Sequence, residues 1–408
     1  MHWILFKIGW RNVWRNPRRT AVLISTIAIG LFGFLGSIGF NNAFLLQMID
    51  SSINLNAGHI QIAGKGFQQN PVVQIWLKDG AALQKKVDKI DGIKSAPRIR
   101  AEGMISSPEA TSGIVLQGID PMLETGITIV AKLISQGRYL GNEPDNEVVI
   151  GEKLASRLQV TLGEKIVIMT NDLENEIASA ACRIVGLYRS TSTEFEKTNI
   201  FVHIKDAAQL LQYQEKISSI SLHIPKHFSV EEVQQRLQTL IADPAYEILS
   251  WQDRFPVLVM SMEAFRYFAV IFIVIIFTAI AFTIINAYLM VIYERMHEIG
   301  VLLSIGIKPG RITAIMMIES LLVTIIGAGI GGGLSILFFA WFQRHGLDLS
   351  WFSAGLGQYG IGNLLYPEIA TTDVVIGVVG ALVIVLLATI YPARRASKFD
   401  PVDALNHI

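Results

Sequence analysis

The charged residues best placed to act on a partner lie in a short segment between two long apolar runs. This segment, 293–311, reads YERMHEIGVLLSIGIKPGR. A cluster of charged residues comes first: Glu294, Arg295, His297 and Glu298. Apolar residues, Ile299 among them, follow at helical spacing, and Gly306 and the pair Pro309-Gly310 end the pattern. A solvated connector is the alternative for such a loop. The amphipathic spacing and the charge cluster favour a docking surface that forms ion pairs with another protein.

Signatures of catalysis are absent from the sequence. It contains no GxxxxGK[ST] phosphate loop, no HExxH, no CxxC and no GxSxG. His223 and His227 flank a proline outside any helical pattern, so we expect no metal site there. The sequence therefore predicts a protein that is not an enzyme and binds no cofactor itself.

Polar residues inside the apolar runs form the second group of candidates. Glu319 lies about two turns inside one run, where it could serve a proton or substrate path, although an anchor against an arginine or backbone is favoured. Asn286 in another run is a candidate for an interhelical hydrogen bond. The glycines of GAGIGGG are interpreted as a packing seam within or between subunits, since small residues let helices approach closely. They are Gly327, Gly329, Gly331 and Gly333.

Four apolar runs are long enough to cross the roughly 30 Å hydrocarbon core as helices. We place the spans at 20–44, 266–292, 312–342 and 373–391. With 51% hydrophobic and 17% charged residues, the 408-residue chain has the composition of a membrane protein. The predicted fold class is therefore four transmembrane α-helices, with a large α+β extracytoplasmic domain between the first two.

The basic residues define an orientation, although the formal net charge is zero. No acid occurs in the first twenty residues, and the basic ones are Lys7, Arg11, Arg15, Arg18 and Arg19. Basic residues also follow the last span: Arg394, Arg395 and Lys398. The positive-inside rule then places both termini (1–19 and 392–408) and 293–311 in the cytoplasm. The domain 45–262 and the loop 343–372 lie outside. The lone Cys182 excludes an internal disulfide.

The outer domain shows the same order of strand, helix and strand at both of its ends, about 55–107 and 204–252. GHIQIAG, DGAALQKKVDKID and APRIRAEGMISS form the first unit, and SSISLHIP, SVEEVQQRLQTLIAD and AYEILSW form the second. Two such units indicate a split ferredoxin-like half-domain. The material between them, about 108–203, is predicted to be an inserted subdomain with further strands and a helix near 152–159.

Two flanking segments extend this picture. Trp3, Phe6, Trp10, Val13 and Trp14 lie opposite the basic residues at helical spacing, which is typical of an amphipathic helix in the cytoplasmic headgroup layer. An ordinary basic flank to the span is the alternative. At the other end of the outer domain, QDRFPVLVMSMEAFRYF runs without a strong breaker into the second span. If it is helical throughout, motion of that span would pass to the outer domain.

The order of one span, a large outer domain and three spans resembles the permeases grouped with MacB, FtsX, LolC and LolE. The opening GWRNVWRNPRRT, the turn ERMHEIGVLLSIGIKPGRI followed by Glu319, and the ending YPARRASKFDPVDAL support the same resemblance. It implies an ABC transporter permease that works as a dimer with a separate ATPase, which would bind the ATP and Mg. The family's coupling helix corresponds to 293–311, and its ATPase contacts fall on Glu294, Arg295, Glu298, Ile299, Gly300 and Gly306.

The resemblance also implies mechanotransmission, in which ATP-driven closure of the spans moves the porter-like outer domain. In the bacterial inner membrane, the expected partners are the ATPase, a second or related permease, and a periplasmic cargo or adaptor; no nucleic-acid partner is expected. Lipoprotein release is the favoured function, since GHIQIAGKGFQQNP resembles that branch. The alternatives are MacB-like efflux of peptides or macrolides through an adaptor and outer-membrane channel, FtsX-like signalling to a cell-wall hydrolase, and a membrane-anchored scaffold without an ATPase.

Overall fold

The chain folds into two compact units. The structure, a computed structural model, describes residues 2–90, 92–225, 227–357, 361–362 and 364–397. The helical unit comprises 2–44, 262–347 and 366–397, and the α+β unit comprises Leu45–Ser261 and Asp348–Leu365. The predicted tail beyond 397 and parts of the predicted loop 343–372 lie outside the described residues.

Helices form most of the helical unit, and shorter helices lie between the strands of the α+β unit. In chain order they are α1 (His2–Arg15), α2 (Pro17–Ser52), α3 (Gly80–Val87), α4 (Pro121–Glu124), α5 (Glu152–Leu158), α6 (Thr193–Thr198), α7 (Ile204–Leu210), α8 (Val230–Ile241), α9 (Trp251–Arg254), α10 (Pro256–Glu294), α11 (Met296–Ser304), α12 (Pro309–His345), α13 (Ser353–Leu356) and α14 (Thr371–Ala396). A π turn at Ile53–Ala57 follows α2, and short 3₁₀ turns occupy Val130–Leu133 and Ser350–Phe352.

Among the described residues, four helices are long and apolar enough to cross a membrane: Pro17–Asn56, which contains α2, and then α10, α12 and α14. All four are longer than the predicted spans, because residues that flank each apolar run stay helical. The second begins at Pro256 rather than continuing from Trp251 as one helix, since Phe255 is not helical. Proline starts helices readily, because its missing N–H would have no partner at the first position.

The strands form one large sheet and a small pair. They are β1 (Ile60–Gly64), β2 (Lys94–Ser106), β3 (Thr111–Ile119), β4 (Ile134–Gly137), β5 (Glu147–Gly151), β6 (Lys165–Asn171), β7 (Ile177–Tyr188), β8 (Asn199–His203), β9 (Ser219–His223), β10 (Tyr246–Ser250), β11 (Leu347–Asp348) and β12 (Leu364–Leu365). The large sheet has the order β10-β1-β9-β2-β3-β8-β5-β7-β4, with β6 paired to β2 and β7.

One end of this sheet is the predicted ferredoxin-like half-domain. The strands β10, β1, β9 and β2 are adjacent and antiparallel, and α3 and α8 connect them as two βαβ units. Ile62 on β1 lies opposite Ile248 on one side and Ile220 on the other. The apolar residues of this face pack with Val87 and Leu237 from the two helices into one core. Alternation of apolar and polar residues predicted this topology, and the structure confirms it.

The inserted strands continue the same sheet instead of forming a separate one. Residues 94–98 of β2 pair with β9, and residues 98–106 of the same strand pair with β3. A second apolar core, which includes Ile105, Leu154 and Ile184, lies on this half. A third core, which includes Tyr188 and Phe201, lies in the same unit. One long strand, β2, joins the two halves of the sheet, and the predicted division near 107 falls at the end of that strand.

Candidate functional site

Helix α11 is a short, sharply bounded element between α10 and α12. Arg295 interrupts the helix, with φ −111° and ψ 17°. At the other end the N–H of Gly306 donates to the Leu303 carbonyl at 3.0 Å, and the N–H of Ile307 donates to Leu302 at 3.1 Å. This is the Schellman arrangement, which needs a left-handed residue. Gly306 supplies it with φ +85°.

The two sides of α11 differ in chemistry. Ile299 is 8% exposed and packs into the core of the helical unit, together with the partly buried Leu303. The opposite side presents a stripe at helical spacing, which we call the exposed stripe: His297, Val301, Ser304 and Ile305. Ile305 is 71% exposed. Val301 is 39% exposed on the same side, so the exposed stripe carries two apolar side chains.

The predicted charges at the start of α11 form ion pairs within the chain. Glu298 accepts hydrogen bonds from both terminal nitrogens of Arg15 in α1, one of them at 2.9 Å. Glu298 Oε2 also lies 3.1 Å from Arg295 Nε. The other side of the Arg295 guanidinium donates to Asn12 Oδ1 at 2.9 Å. Two residues of α1 therefore fix the first turn of α11.

Glu319 of α12 connects this group to the first span. Its carboxylate is 4% exposed and lies 3.6 Å from Arg19 Nη2 and 3.8 Å from Arg295 Nη1. Arg19 also reaches Glu294 at 3.3 Å. We call these six charged residues the ionic cluster: Arg15, Arg19, Glu294, Arg295, Glu298 and Glu319. A buried carboxylate between two guanidinium groups fits the predicted polar anchor rather than a proton path.

The ion pair affects the titration of Glu298. The hydrogen bond from Arg15 lowers the pKa of this carboxyl below its ordinary value, and Arg295 acts in the same direction. Glu298 is therefore charged throughout the physiological pH range.

The structure sorts the six predicted ATPase-contact residues into three groups. Ile299 and Gly300 are buried in the helical unit, so their side of α11 seats the helix. Glu294, Arg295 and Glu298 are partly exposed but engaged by α1, α2 and α12. Gly306 is exposed and terminates the helix. A contact of these residues with an ATPase stays a prediction, and the exposed stripe is the surface that the sequence did not single out.

The predicted glycine seam is divided between two faces of α12. A Cβ on Gly327 would lie 2.9 Å from Ile27 Cβ, and one on Gly331 would lie 2.5 Å from the Ala28 carbonyl oxygen. These two glycines, four residues apart, let α12 pack closely against α2. Gly329 and Gly333 meet nothing within 4 Å, so they take no part in this packing.

Asn286 lies on the exposed side of α10, and in the part of the chain that the structure describes its side chain has no hydrogen bond. The predicted interhelical bond is therefore not formed among the residues that the structure describes. The buried side of α10 carries Ile284 and Tyr288 instead. The sequence could not fix which way Asn286 faces, because this span is apolar all round.

Four candidate spans, an α+β unit with a ferredoxin-like half, and a short helix held by ion pairs define a multi-pass membrane protein. The chain belongs to the FtsX-like and MacB-like permease family of ABC transporters. A family model of the MacB-like periplasmic core domain matches residues 20–240. A model of the FtsX-like permease C-terminal region matches residues 270–401.

Curated relatives match along most of the chain. The lipoprotein-releasing system transmembrane protein LolC of Xylella fastidiosa is 21% identical, covering 93% of this chain and 92% of its own. The corresponding LolE of Haemophilus influenzae is 19% identical, covering 98% and 99%. The macrolide export ATP-binding/permease protein MacB of Bdellovibrio bacteriovorus is 20% identical and covers 98% of this chain, which spans 61% of that protein.

Proposed function

We propose that this chain is the permease of an ABC transporter that releases lipidated proteins from the bacterial inner membrane, with both termini in the cytoplasm. The similarity to LolC and LolE, which extends over more than nine tenths of the chain, carries this proposal. MacB-like efflux is the second candidate, because a relative named for macrolide export matches over a similar length.

The interior of the helical unit supports work on cargo outside the bilayer rather than a path through it. Two buried hydroxyls of the spans donate to carbonyls of their own helices: Thr324 to Ser320 at 2.7 Å, and Thr389 to Val385 at 2.7 Å. Such hydroxyls are satisfied locally and offer little to a polar substrate. Because α2 and α10 each continue from the helical unit into the α+β unit, they are suited to transmit motion between the two.

The exposed stripe of α11 is our proposed docking surface for a separate ATPase, which would bind ATP and Mg. Val301 and Ile305 would enter an apolar groove, and His297 and Ser304 would lie at its rim. The ionic cluster would hold α11 in place while the ATPase moves the spans. The half-exposed Glu294 and Glu298 would add charge at the edge of the exposed stripe. Apolar anchors surrounded by a polar rim are the common pattern of protein interfaces.

A groove between α2 and α10 is the proposed place for the lipid part of the cargo or for a second permease. It has a volume of about 670 Å³, and its lining includes Ser25, Gly30, Gly33 and Thr283. Acyl chains need an apolar surface, and the lining also includes Val22, Ile29 and Ile276. Gly33 leaves room beside Ile276, whereas the space at Gly30 is filled by Ile280. We also propose that the α+β unit contacts the cargo or an adaptor, and we assign no residues to these contacts.

The experiment is to purify the tagged chain in mild detergent from its native membrane and to identify the proteins that co-purify with it. We expect an ATPase together with a lipidated protein. An ATPase with a periplasmic adaptor would favour efflux, and one with a cell-wall hydrolase would favour signalling. If no ATPase is present, the transporter proposal fails and a scaffold remains.

Ile305→Asp tests the docking surface in the same purification. A charge at this position should remove the ATPase from the complex, because burying an unpaired carboxylate is costly. Ile177→Asp is the matched control, since Ile177 on β7 is 80% exposed and lies in the α+β unit. Retention of the ATPase by Ile305→Asp would reject the exposed stripe without rejecting the transporter.

A further inference from the structure

Helix α1 has three faces of different chemistry, and only one of them is covered by the protein. Gly9 and Val13 form the covered face: Val13 is fully buried, and a Cβ on Gly9 would lie 3.0 Å from Ile318 of α12. The Thr20 hydroxyl donates to the Val13 carbonyl across the turn into α2. Helix α1 is therefore held at a fixed orientation by α12 and by the start of α2.

The second face is an aromatic stripe without a partner among the described residues. Its members are Trp3, Phe6, Trp10 and Trp14, exposed by 76%, 41%, 44% and 52%. Their only aromatic neighbours are one another: the Trp3 and Phe6 rings lie 6.0 Å apart, and those of Trp10 and Trp14 lie 5.9 Å apart. Four large aromatic side chains along one line of a 14-residue helix form a contiguous apolar surface about 20 Å long.

The third face of α1 is basic, and its three cations differ in whether they form an ion pair. Arg15 forms an ion pair with Glu298 of α11. Lys7 and Arg11 are exposed, and in the described part of the chain no carboxylate pairs with either of them. Helix α1 contains no acidic residue. Two free cations therefore flank the aromatic stripe, and the third cation belongs to the ionic cluster.

The position of α1 in the chain identifies what covers the stripe. Only Asn16 separates its last residue from α2, a helix long and apolar enough to span the membrane. The aromatic stripe is thus tethered at the membrane surface, where tryptophan prefers to lie with its ring at headgroup level. A helix with aromatic side chains beside lysine and arginine binds such a surface, and more strongly when the lipids are acidic.

We propose that α1 is a binding element for acidic phospholipid: the four aromatic side chains enter the headgroup layer, and Lys7 and Arg11 contact lipid phosphates. Arg15 does not take part, because its guanidinium is held by Glu298. The same helix thereby joins the lipid surface to α11, so that lipid composition acts on the element proposed for coupling. Lipid binding itself is independent of the proposed ATPase and cargo.

The proposal is tested with the full chain reconstituted into vesicles of 70% phosphatidylcholine and 30% phosphatidylglycerol, with bromine on one lipid or the other. Bromine quenches nearby tryptophan, and a variant with Trp3, Trp10 and Trp14 changed to Phe supplies the signal of the remaining tryptophans. A surface cation strengthens binding to acidic lipid by roughly fivefold. The two free cations therefore predict that α1 prefers phosphatidylglycerol by about 25-fold.

Two variants separate the cations. Lys7→Gln with Arg11→Gln should bring the preference close to one while quenching by phosphatidylcholine persists. Arg15→Gln, the matched control, should keep the preference of the unchanged chain. An unchanged preference in the double variant, or its loss in Arg15→Gln, would refute the assignment. If neither brominated lipid quenches these tryptophans, the stripe is covered by protein and the proposal is wrong. Because no ATPase is present, none of these results bears on the release function.

Discussion

The two units each bury a carboxylate beside arginine, but they hold it in different ways. In the α+β unit, Glu124 is fully buried and accepts hydrogen bonds from Nε and Nη2 of Arg98, with the Nε contact at 3.2 Å. Thr128 donates to the same carboxylate at 2.9 Å. In the helical unit, Glu319 is equally buried, but Arg19 and Arg295 stay 3.6 and 3.8 Å away.

The partners explain this difference. The Arg98 side chain is 4% exposed, and among the described residues it pairs with no second carboxylate; its remaining donor reaches the Asn56 carbonyl. Arg19 and Arg295 each have another acid at the surface, Glu294 and Glu298. The pair in the α+β unit is a fixed connection between strands and loops, whereas Glu319 shares its arginines. Because Glu319 shares Arg19 and Arg295 with surface acids, these ion pairs can exchange partners if α11 moves. This property fits the proposed coupling role of α11.

The largest effect is expected for Glu124→Gln. The amide would leave Arg98 charged, buried and without a carboxylate, and breaking a buried pair in this way costs about 3–5 kcal/mol. Amide hydrogen exchange of β2 in the intact protein would measure the loss as faster opening of the strand. Glu152→Gln is the control, because its partner Arg189 is 71% exposed and such surface pairs contribute little. Equal effects in the two variants would contradict the proposed role of burial.

A smaller effect is expected for Glu319→Gln, roughly 1–2 kcal/mol. Both arginines keep a second acid, and the neutral amide can still accept a hydrogen bond in the same space. The melting temperature of the detergent-solubilised chain would measure this loss. If Glu319→Gln cost as much as Glu124→Gln, the distinction between a shared and a fixed carboxylate would be wrong.

Local patterns in the sequence were enough to predict much of this architecture. Alternation of apolar and polar residues predicted the strands around Ile62 and Ile220. The two βαβ units predicted the order of these strands in the sheet. Long apolar runs gave the spans. Within the predicted segment 293–311, the end of α11 followed from Gly306, the type of residue that a left-handed helix end requires, whereas its start did not.

The partners of the charges could not be predicted in the same way. Arg15 and Glu298 are 283 residues apart, and their contact depends on how α1 packs against the helices around it. Within an apolar span no periodicity marks the covered face, so the different surroundings of Gly327 and Gly329 have no signal in the sequence. The absence of acids around Arg15 was the one hint that it needs a partner from elsewhere in the chain.

The smallest of the three effects belongs to the partly exposed pair of Arg15 and Glu298, and it should depend on pH. Since the pair lowers the pKa of Glu298, its stabilisation is fully present above the ordinary glutamate range and disappears as the pH falls through the lowered value. A double-mutant cycle with Arg15→Gln and Glu298→Gln, measured by melting temperature, should show favourable coupling at pH 7. The coupling should fall towards zero as the pH drops below the lowered pKa of Glu298, and also at pH 7 in 1 M salt, because protonation removes the charge and salt screens an exposed pair. Coupling that persisted under both conditions would mean that packing, rather than charge, joins α1 to α11, and the helical unit would then be as firmly fixed there as the α+β unit is at Glu124.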